Sequence, residues 1–327
     1  MIRTVTVNTS KQSESCPIVI GRDLVRTLPE ILTIERHSKV VAIVDSGAAH
    51  IGLQVKDALK LPAEQILTLT GGELCKTVSY VDQLWQFFAA QLLDRRSLVI
   101  CIGGGAVSDL VGFASATYMR GISYAAIPTT LLAQVDASIG GKTGFNFAGV
   151  KNLIGIVRQP RAIIVDIDTL QGLPNRDLCS GFAEVVKHGA IADLDYFTLV
   201  TSRPCEKWSP DELVAIVTSS CEIKARIVEQ DETEEGLRKN LNFGHTIGHA
   251  VEALSLASES PLTHGEAVSI GMHAAGFISW QVGLLGLPQL QKLVAGLQLV
   301  GLPVRLSHKC DASEAVSYTH LTLPTKA

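Results

Sequence analysis

Hydrophobic and polar positions fall into two textures along this chain. Over the first half, short apolar runs rich in β-branched residues alternate with amphipathic stretches. Residues 2–7 alternate as a half-buried strand does, and Cys16–Ile20 is a second short run that stops at Gly21. A helix is expected over 23–32. Lys39–Asp45 reads as a strand apolar on both faces, the pattern of a covered parallel sheet. The same logic predicts strands over 65–70, 97–102, 124–130 and 162–166, with helices over 49–60 and 78–90 and a short one over 131–137. From about residue 178 the β-branched runs cease and helical periodicity continues to about residue 300, over 211–230, 245–255 and 266–282. Ser209-Pro210-Asp211-Glu212 is a well-formed helix start. The pattern therefore predicts an α/β, Rossmann-like N-terminal domain followed by an all-α C-terminal domain, with the boundary near 174–180.

Candidate chemistry sits at the ends of these elements. The strand over 97–102 runs into Gly103-Gly104-Gly105, after which Ala106-Val107-Ser108-Asp109 opens a helix. Such a turn can cradle a pyrophosphate on backbone N–H groups. The spacing is not G-x-G-x-x-G, so a tight glycine turn without a ligand is the alternative. Asp45 ends its strand where open α/β sheets hold a nucleotide ribose, though a turn aspartate would look the same. Glu73 and Lys76 follow Gly71-Gly72, and Lys142 and Lys151-Asn152 border glycine-rich loops that suit a small anion or simply carry surface lysines. In the helical half, His245 and His249 share one helix face. His264 follows before Gly265-Glu266, and Glu184 and Lys187 lie one turn apart upstream. Three histidines and a glutamate offer nitrogen and oxygen ligands for a divalent metal with one position left open. A single histidine is more often structural, and the spacing does not say which of the four groups bind.

Composition narrows the classes. A chain of 327 residues makes one large or two ordinary domains. With 46% hydrophobic and 18% charged residues it builds large cores rather than disorder. A net charge of −4 without a basic run argues against nucleic acid. Seven cysteines without a C-x-x-C pair predict reduced, structural thiols in a cytoplasmic protein. Ala267–Pro288 lacks Asp, Glu, Lys and Arg, but His273, Gln281 and its glycines favour a buried helix over a membrane span. The N-terminus shows no signal-peptide pattern.

Seven motifs in order resemble the 3-dehydroquinate synthase family of sugar-phosphate cyclases: Gly103–Asp109, Ile127–Asp136, Ser138–Lys142, Lys151-Asn152, Gly181–Lys187, Leu241–His249 and His264–Glu266. The resemblance implies an NAD- and zinc- (or cobalt-) dependent lyase of the shikimate pathway. Its family substrate is 3-deoxy-D-arabino-heptulosonate 7-phosphate, which is oxidised by NAD, loses phosphate, is reduced again and closes to 3-dehydroquinate by an aldol step. It implies Glu184, His245 and His264 as metal ligands, with His249 facing the substrate. Lys142, Lys187, Arg238 and His249 would be catalytic. Arg120, Asp136, Lys142, Asn152, Lys224, Arg238, Asn242 and His249 would hold the substrate, Lys224 and Arg238 its carboxylate. Asp45, Glu73, Lys76, Gly103, Gly104, Gly105, Ser108, Asp109, Thr129, Thr130, Lys142 and Lys151 would surround NAD. A cytoplasmic homodimer without nucleic-acid or membrane partners is expected.

On this resemblance residues 1–177 form the NAD-binding domain and 178–315 a helical metal- and substrate-binding domain, truncated relative to the family. Gly172-Leu173-Pro174 replaces a family Thr-Leu-Pro. Residues 316–327 follow no family pattern and match one reading frame of a common sequencing adapter. They are expected to be a non-native tail, and His320 is kept out of the metal argument. The competing readings are a related dehydrogenase that releases NADH, a cyclase of a sugar phosphate without a carboxylate, and an inactive product that keeps only cofactor binding. Lys224 and Arg238 favour the doubly anionic substrate.

Overall fold

A computed structural model describes residues 2–8, 15–232, 234–256 and 258–306. The 316–327 segment, His320 and Cys310 lie outside these residues. The chain begins with β1 (Arg3–Val7), β2 (Cys16–Gly21), α1 (Leu28–Ile31), β3 (Val40–Asp45), α2 (Ala49–Leu59), β4 (Ile66–Leu69) and α3 (Val78–Ala90). It continues through β5 (Leu98–Gly103), α4 (Gly105–Thr117), β6 (Ser123–Pro128), β7 (Lys142–Phe147), β8 (Val150–Val157) and β9 (Ile163–Asp166). The helical remainder is α5 (Asn175–Ala192), α6 (Leu194–Val200), α7 (Pro210–Gln230), α8 (His245–Ser255), α9 (His264–Gln281) and α10 (Leu287–Val300).

Two compact units result. The first comprises Met1–Leu173 and Leu213–Glu232, and the second Pro174–Glu212 and Thr233–Ala327. The sequence pattern drew a single line between 177 and 178. In the first unit seven strands pair in the order β1-β2-β9-β6-β5-β3-β4, all parallel except β1 against β2. Alternation sends Val40, Ala42 and Val44 of β3 into one core with Leu28, Ile51 and Val55. Val41 and Ile43 enter the opposite core with Leu84, Phe88 and Leu110. Both faces are covered, which is why β3 and β5 read as unbroken apolar runs. Helix α7 joins this unit by specific bonds. The Cys221 thiol donates to the Gln134 carbonyl (3.5 Å), and Lys224 Nζ donates to Asp136 Oδ1 (2.6 Å).

Three local expectations change. The helix over 23–32 is a 3-10 turn (Leu24–Thr27) and the four-residue α1, because Asp23 adopts a left-handed φ of 53° and Pro29 restarts the helix. The short helix over 131–137 contains π-type turns at Ala133–Ala137. The glycine-rich stretch around Lys142 and Asn152, expected as loops, forms the antiparallel hairpin β7–β8.

In the second unit α5, α8, α9 and α10 pack together. Thr263 and Glu266 form a reciprocal capping box that starts α9 at His264. Arg176 of α5 grips the Glu266 carboxylate through Nε (2.8 Å) and Nη2 (2.7 Å). Cys179 and Cys205 are joined as a disulfide. This corrects the expectation of reduced thiols for that pair, since two cysteines 26 residues apart need not show themselves by local spacing. Cys16, Cys75, Cys101 and Cys221 are free and buried, and burial pushes Cys16, Cys101 and Cys221 up to about 12, which keeps them protonated and inert. No helix among the described residues is long and apolar enough to cross a membrane.

Helices α8 and α9 touch backbone to backbone. A Cβ on Gly271 would stand 1.9 Å from the Gly244 carbonyl oxygen. The Gly271→Ala variant should therefore force the helices apart and lower stability by about 1–3 kcal/mol, checked by urea denaturation followed by circular dichroism.

Candidate active site

The chemistry of the helical unit gathers around Glu184. Its carboxyl is fully buried on α5 and forms an ion pair with Lys187 one turn later. Neither carboxyl oxygen accepts a hydrogen bond of ordinary geometry. His245 and His264, the first residues of α8 and α9, each bring Nε2 to 3.6 Å from Glu184 Oε1. That is too far for a hydrogen bond. It is close to the spacing of roughly 3.4 Å expected between ligands about 2.1 Å from a tetrahedral zinc. A buried, unbonded carboxylate oxygen facing two imidazole nitrogens is a donor set that fits a divalent cation, and His249, Glu252 and His264 form a second cluster of the same kind next to it.

Position comes from close helix contacts. A Cβ on Gly265 would lie 2.0 Å from the Ser180 carbonyl oxygen of α5. The Gly265 N–H also donates to Ser180 Oγ (3.0 Å). Residue 265 must be glycine for His264 to reach Glu184. Gly244, at a φ of 82°, caps α8 and lets His245 begin it against α9.

Electrostatics separate the two histidines. Burial lowers His245 to about 4, so its nitrogens stay neutral at pH 7. Burial also opposes a charge on His264, but the neighbouring Glu184 and Glu252 carboxylates override it and lift the imidazole to about 9. For Glu184 burial opposes ionisation, and Lys187, His245 and His264 more than offset it, holding the carboxyl well below its usual range. His249 packs beside both rings, 5.2 Å from His245 and 5.8 Å from His264 between centroids. Glu252 Oε2 lies 3.5 Å from His264 Nδ1, the ring nitrogen opposite the one that faces Glu184. Glu252 is not among the sequence-predicted site residues, although it lies three residues from His249 on the same helical face. Arg238 is buried in the 3-10 segment Leu237–Asn242, and the Asn242 amide donates to Glu234 Oε1 (2.8 Å).

In the α/β unit the strand order reverses between β3 and β5, where open sheets form a crevice beyond their carboxyl ends. Asp45 closes β3 there, and its Oδ1 accepts the Gly47 N–H (2.9 Å). A Cβ on Gly71 would fall 2.0 Å from Asp45 Oδ1, and one on Gly103 2.8 Å from its Cβ. The two glycines thus leave a cradle around one carboxylate. Gly104 is extended, Gly105 starts α4, and Ser108 is buried in the first turn. The Thr129 N–H donates to the Gly103 carbonyl (3.0 Å), and Thr130 Oγ1 accepts from the Ala133 N–H (3.2 Å). Open N–H groups at a helix start beside an acceptor for ribose hydroxyls suit a dinucleotide.

Lys76 is the hub beside this cradle. Its buried ammonium donates to Asp109 Oδ2 (2.7 Å) and to Asn152 Oδ1. Burial lifts Asp109 to about 6, and Lys76 pulls against that rise. Asp109, Lys142 and Asn152 line a cavity of about 340 Å³. A larger cavity of about 560 Å³, bordered by Asp57 and Asp168, is lined by none of the sequence-predicted site residues. Lys151 is exposed on β8, and Arg120 is exposed on the 118–120 turn with a left-handed φ of 67°. Lys224 is held by both the side chain and the carbonyl of Asp136 (2.6 Å each). Asn146, which bonds both Glu73 and Asn152, was not singled out in the sequence.

Solved structures place this architecture among the sugar-phosphate cyclases. A 2-deoxy-scyllo-inosose synthase, solved with carbaglucose-6-phosphate, NAD+ and Co2+, matches 97% of this chain and 86% of its own at a TM-score of 0.88 and 25% identity. A 2-epi-5-epi-valiolone synthase from Streptomyces hygroscopicus, solved with NAD+ and Zn2+, matches at a TM-score of 0.84 and 26% identity, over 96% of this chain and 88% of its own. A butanol dehydrogenase from Thermotoga maritima, at 17% identity and a TM-score of 0.70 over 93% of this chain and 88% of its own, shares the fold alone.

Within that class the chain belongs to the 3-dehydroquinate synthase family. The sequence models of that family's N-terminal and C-terminal parts match residues 66–180 and 181–322. The 3-dehydroquinate synthase of Synechococcus sp. is 44% identical over 265 residues, 80% of this chain and 72% of its own. That of Nostoc punctiforme is 37% identical over 99% of this chain and 91% of its own.

Removing Lys76 leaves Asp109 buried without its cation. Lys76→Met should cost about 3–5 kcal/mol at pH 8. Asp109 is already raised, so its protonated form is the one the fold favours, and that advantage is lost as pH climbs through about 6. The variant's deficit should shrink at pH 5, where Asp109 takes up a proton. Denaturant titrations at both pH values read the difference.

Proposed function

We propose that this chain acts as a 3-dehydroquinate synthase, converting 3-deoxy-D-arabino-heptulosonate 7-phosphate to 3-dehydroquinate and phosphate in aromatic amino acid biosynthesis. The observation that carries this reading is the consecutive match of both halves of the chain to that one family. Supporting it over a dehydrogenase, cations suited to a doubly anionic substrate accompany the metal-type cluster: Lys142, Lys224 and Arg238.

When bound, NAD would accept and return a hydride, and zinc or cobalt would polarise the oxygen being oxidised and reduced. The α/β domain, residues 1–177, would hold NAD through Asp45, Glu73, Lys76, Gly103–Gly105, Ser108, Asp109, Thr129, Thr130, Lys142 and Lys151. Residues 178–315 would supply the metal ligands and, together with residues of the first domain, the substrate groups. Glu184, His245 and His264 would hold the metal. Lys187 keeps Glu184 ionised for that task, and Glu252 orients His264. Lys142, Asn152, Asn242 and Arg120 would bind phosphate, and His249 would carry a proton at the phosphate. Lys224 would exchange its Asp136 partner for the substrate carboxylate, a role it would share with Arg238. A cytoplasmic homodimer without nucleic-acid partners belongs to the same proposal and rests on the family resemblance.

The test is phosphate release from the heptulosonate phosphate with NAD and zinc. The expected result is stoichiometric phosphate with no net NADH; accumulating NADH would make it a dehydrogenase. Glu184→Gln should lower bound zinc from about one per chain to near none and cut kcat by more than about 100-fold, read by elemental analysis beside the phosphate assay.

A further inference from the structure

We propose that Asn146 is a positioning residue that sets Glu73 and Asn152 in one frame, so that cofactor and substrate phosphate meet a single prearranged geometry. This rests on the reading above, in which Glu73 borders NAD and Asn152 the phosphate. Asn146 sits where the β7–β8 register shifts between Phe145 and Phe147. Such a bulge re-aims a side chain out of the regular alternation. Its amide then makes two bonds of opposite sense. Nδ2 donates to Glu73 Oε1 (2.7 Å), and Oδ1 accepts the Asn152 N–H (2.9 Å). Its own backbone N–H donates to the Lys76 carbonyl (2.9 Å).

The second bond matters because Asn152 turns the backbone. Its φ is 54°, a left-handed conformation that asparagine tolerates better than most residues and that a bond to its N–H helps to fix. The Asn146 acceptor fixes the N–H of that peptide, and Lys76 fixes the Asn152 side chain from the other end. Only an amide of this length offers a donor to a carboxylate and an acceptor to an N–H together. Aspartate would keep the acceptor but repel Glu73. Alanine would offer neither.

That asymmetry sets the experiment. Asn146→Ala and Asn146→Asp are compared with wild type by NAD titration calorimetry without substrate, by steady-state phosphate release, and by thermal melting. For Asn146→Ala the NAD Kd and the substrate KM should each rise about tenfold with kcat within about threefold. For Asn146→Asp the NAD Kd should rise similarly while KM stays within about threefold of wild type. If Asn146→Ala lowers Tm but leaves Kd and KM within about twofold, or if both variants shift both constants alike, Asn146 only braces the hairpin and the proposal is wrong. A wild-type chain that neither binds NAD nor releases phosphate would remove the functional reading itself. An active wild type with unshifted variants removes only the role given to Asn146.

Discussion

A carboxylate sealed from water cannot remain ionised by itself, and Glu184 is the point in the helical unit where that constraint is met. Lys187, on the same helix, supplies one positive charge. The other side of the carboxylate is closed by His245 and His264, which come from the starts of two different helices. Their approach requires backbone contact between α8 and α9 and between α9 and α5, and neither contact leaves room for a side chain at residue 271 or 265. The capping box at Thr263 and the Arg176 clamp on Glu266 then hold α9 where His264 needs it. The surroundings of one buried carboxylate thus draw on three helices.

The α/β unit solves a related problem with the opposite sign. Lys76 is a buried cation, and it is satisfied by Asp109 from α4 and by Asn152 from β8. Parallel strands alone would leave those groups unconnected, since Lys76, Asp109 and Asn152 stand on separate crossovers. The ammonium ties them together at the carboxyl ends of the sheet, next to the cradle that Gly71 and Gly103 leave around Asp45. Groups from three crossovers therefore share one buried charge.

Much of this was legible in sequence, for identifiable reasons. β3, β5 and β9 are buried on both faces, so their apolar runs are continuous and short, and Gly103–Gly105 punctuates β5. The helical periodicity of α7, α8 and α9 was equally plain. The hairpin β7–β8 was not, because its glycines interrupt the alternation that marks strands. Spacing brought His245, His249 and His264 together as candidates; in three dimensions Glu184, His245 and His264 form one cluster and His249, Glu252 and His264 another. Gly244 and Gly248, four apart and facing Ala267 and Gly271, are a small-residue pattern that predicts close helix contact, yet it is hidden inside a motif more easily read for its histidines. The Cys179–Cys205 bond joins α5 to the 3-10 turn at Cys205–Lys207, and periodicity carries no trace of such a pairing.

The return of Leu213–Glu232 to the first unit, after Pro174–Glu212 has already entered the second, means that the backbone changes unit three times. No single cut in the gene yields two pieces that each contain one whole unit. A break after residue 173 would strip the sheet of Lys224 and Cys221, and a break after 232 would leave α5 without α8 and α9. Recombination can therefore not trade one unit for a foreign counterpart by a single crossover, and the two have had to be inherited as one.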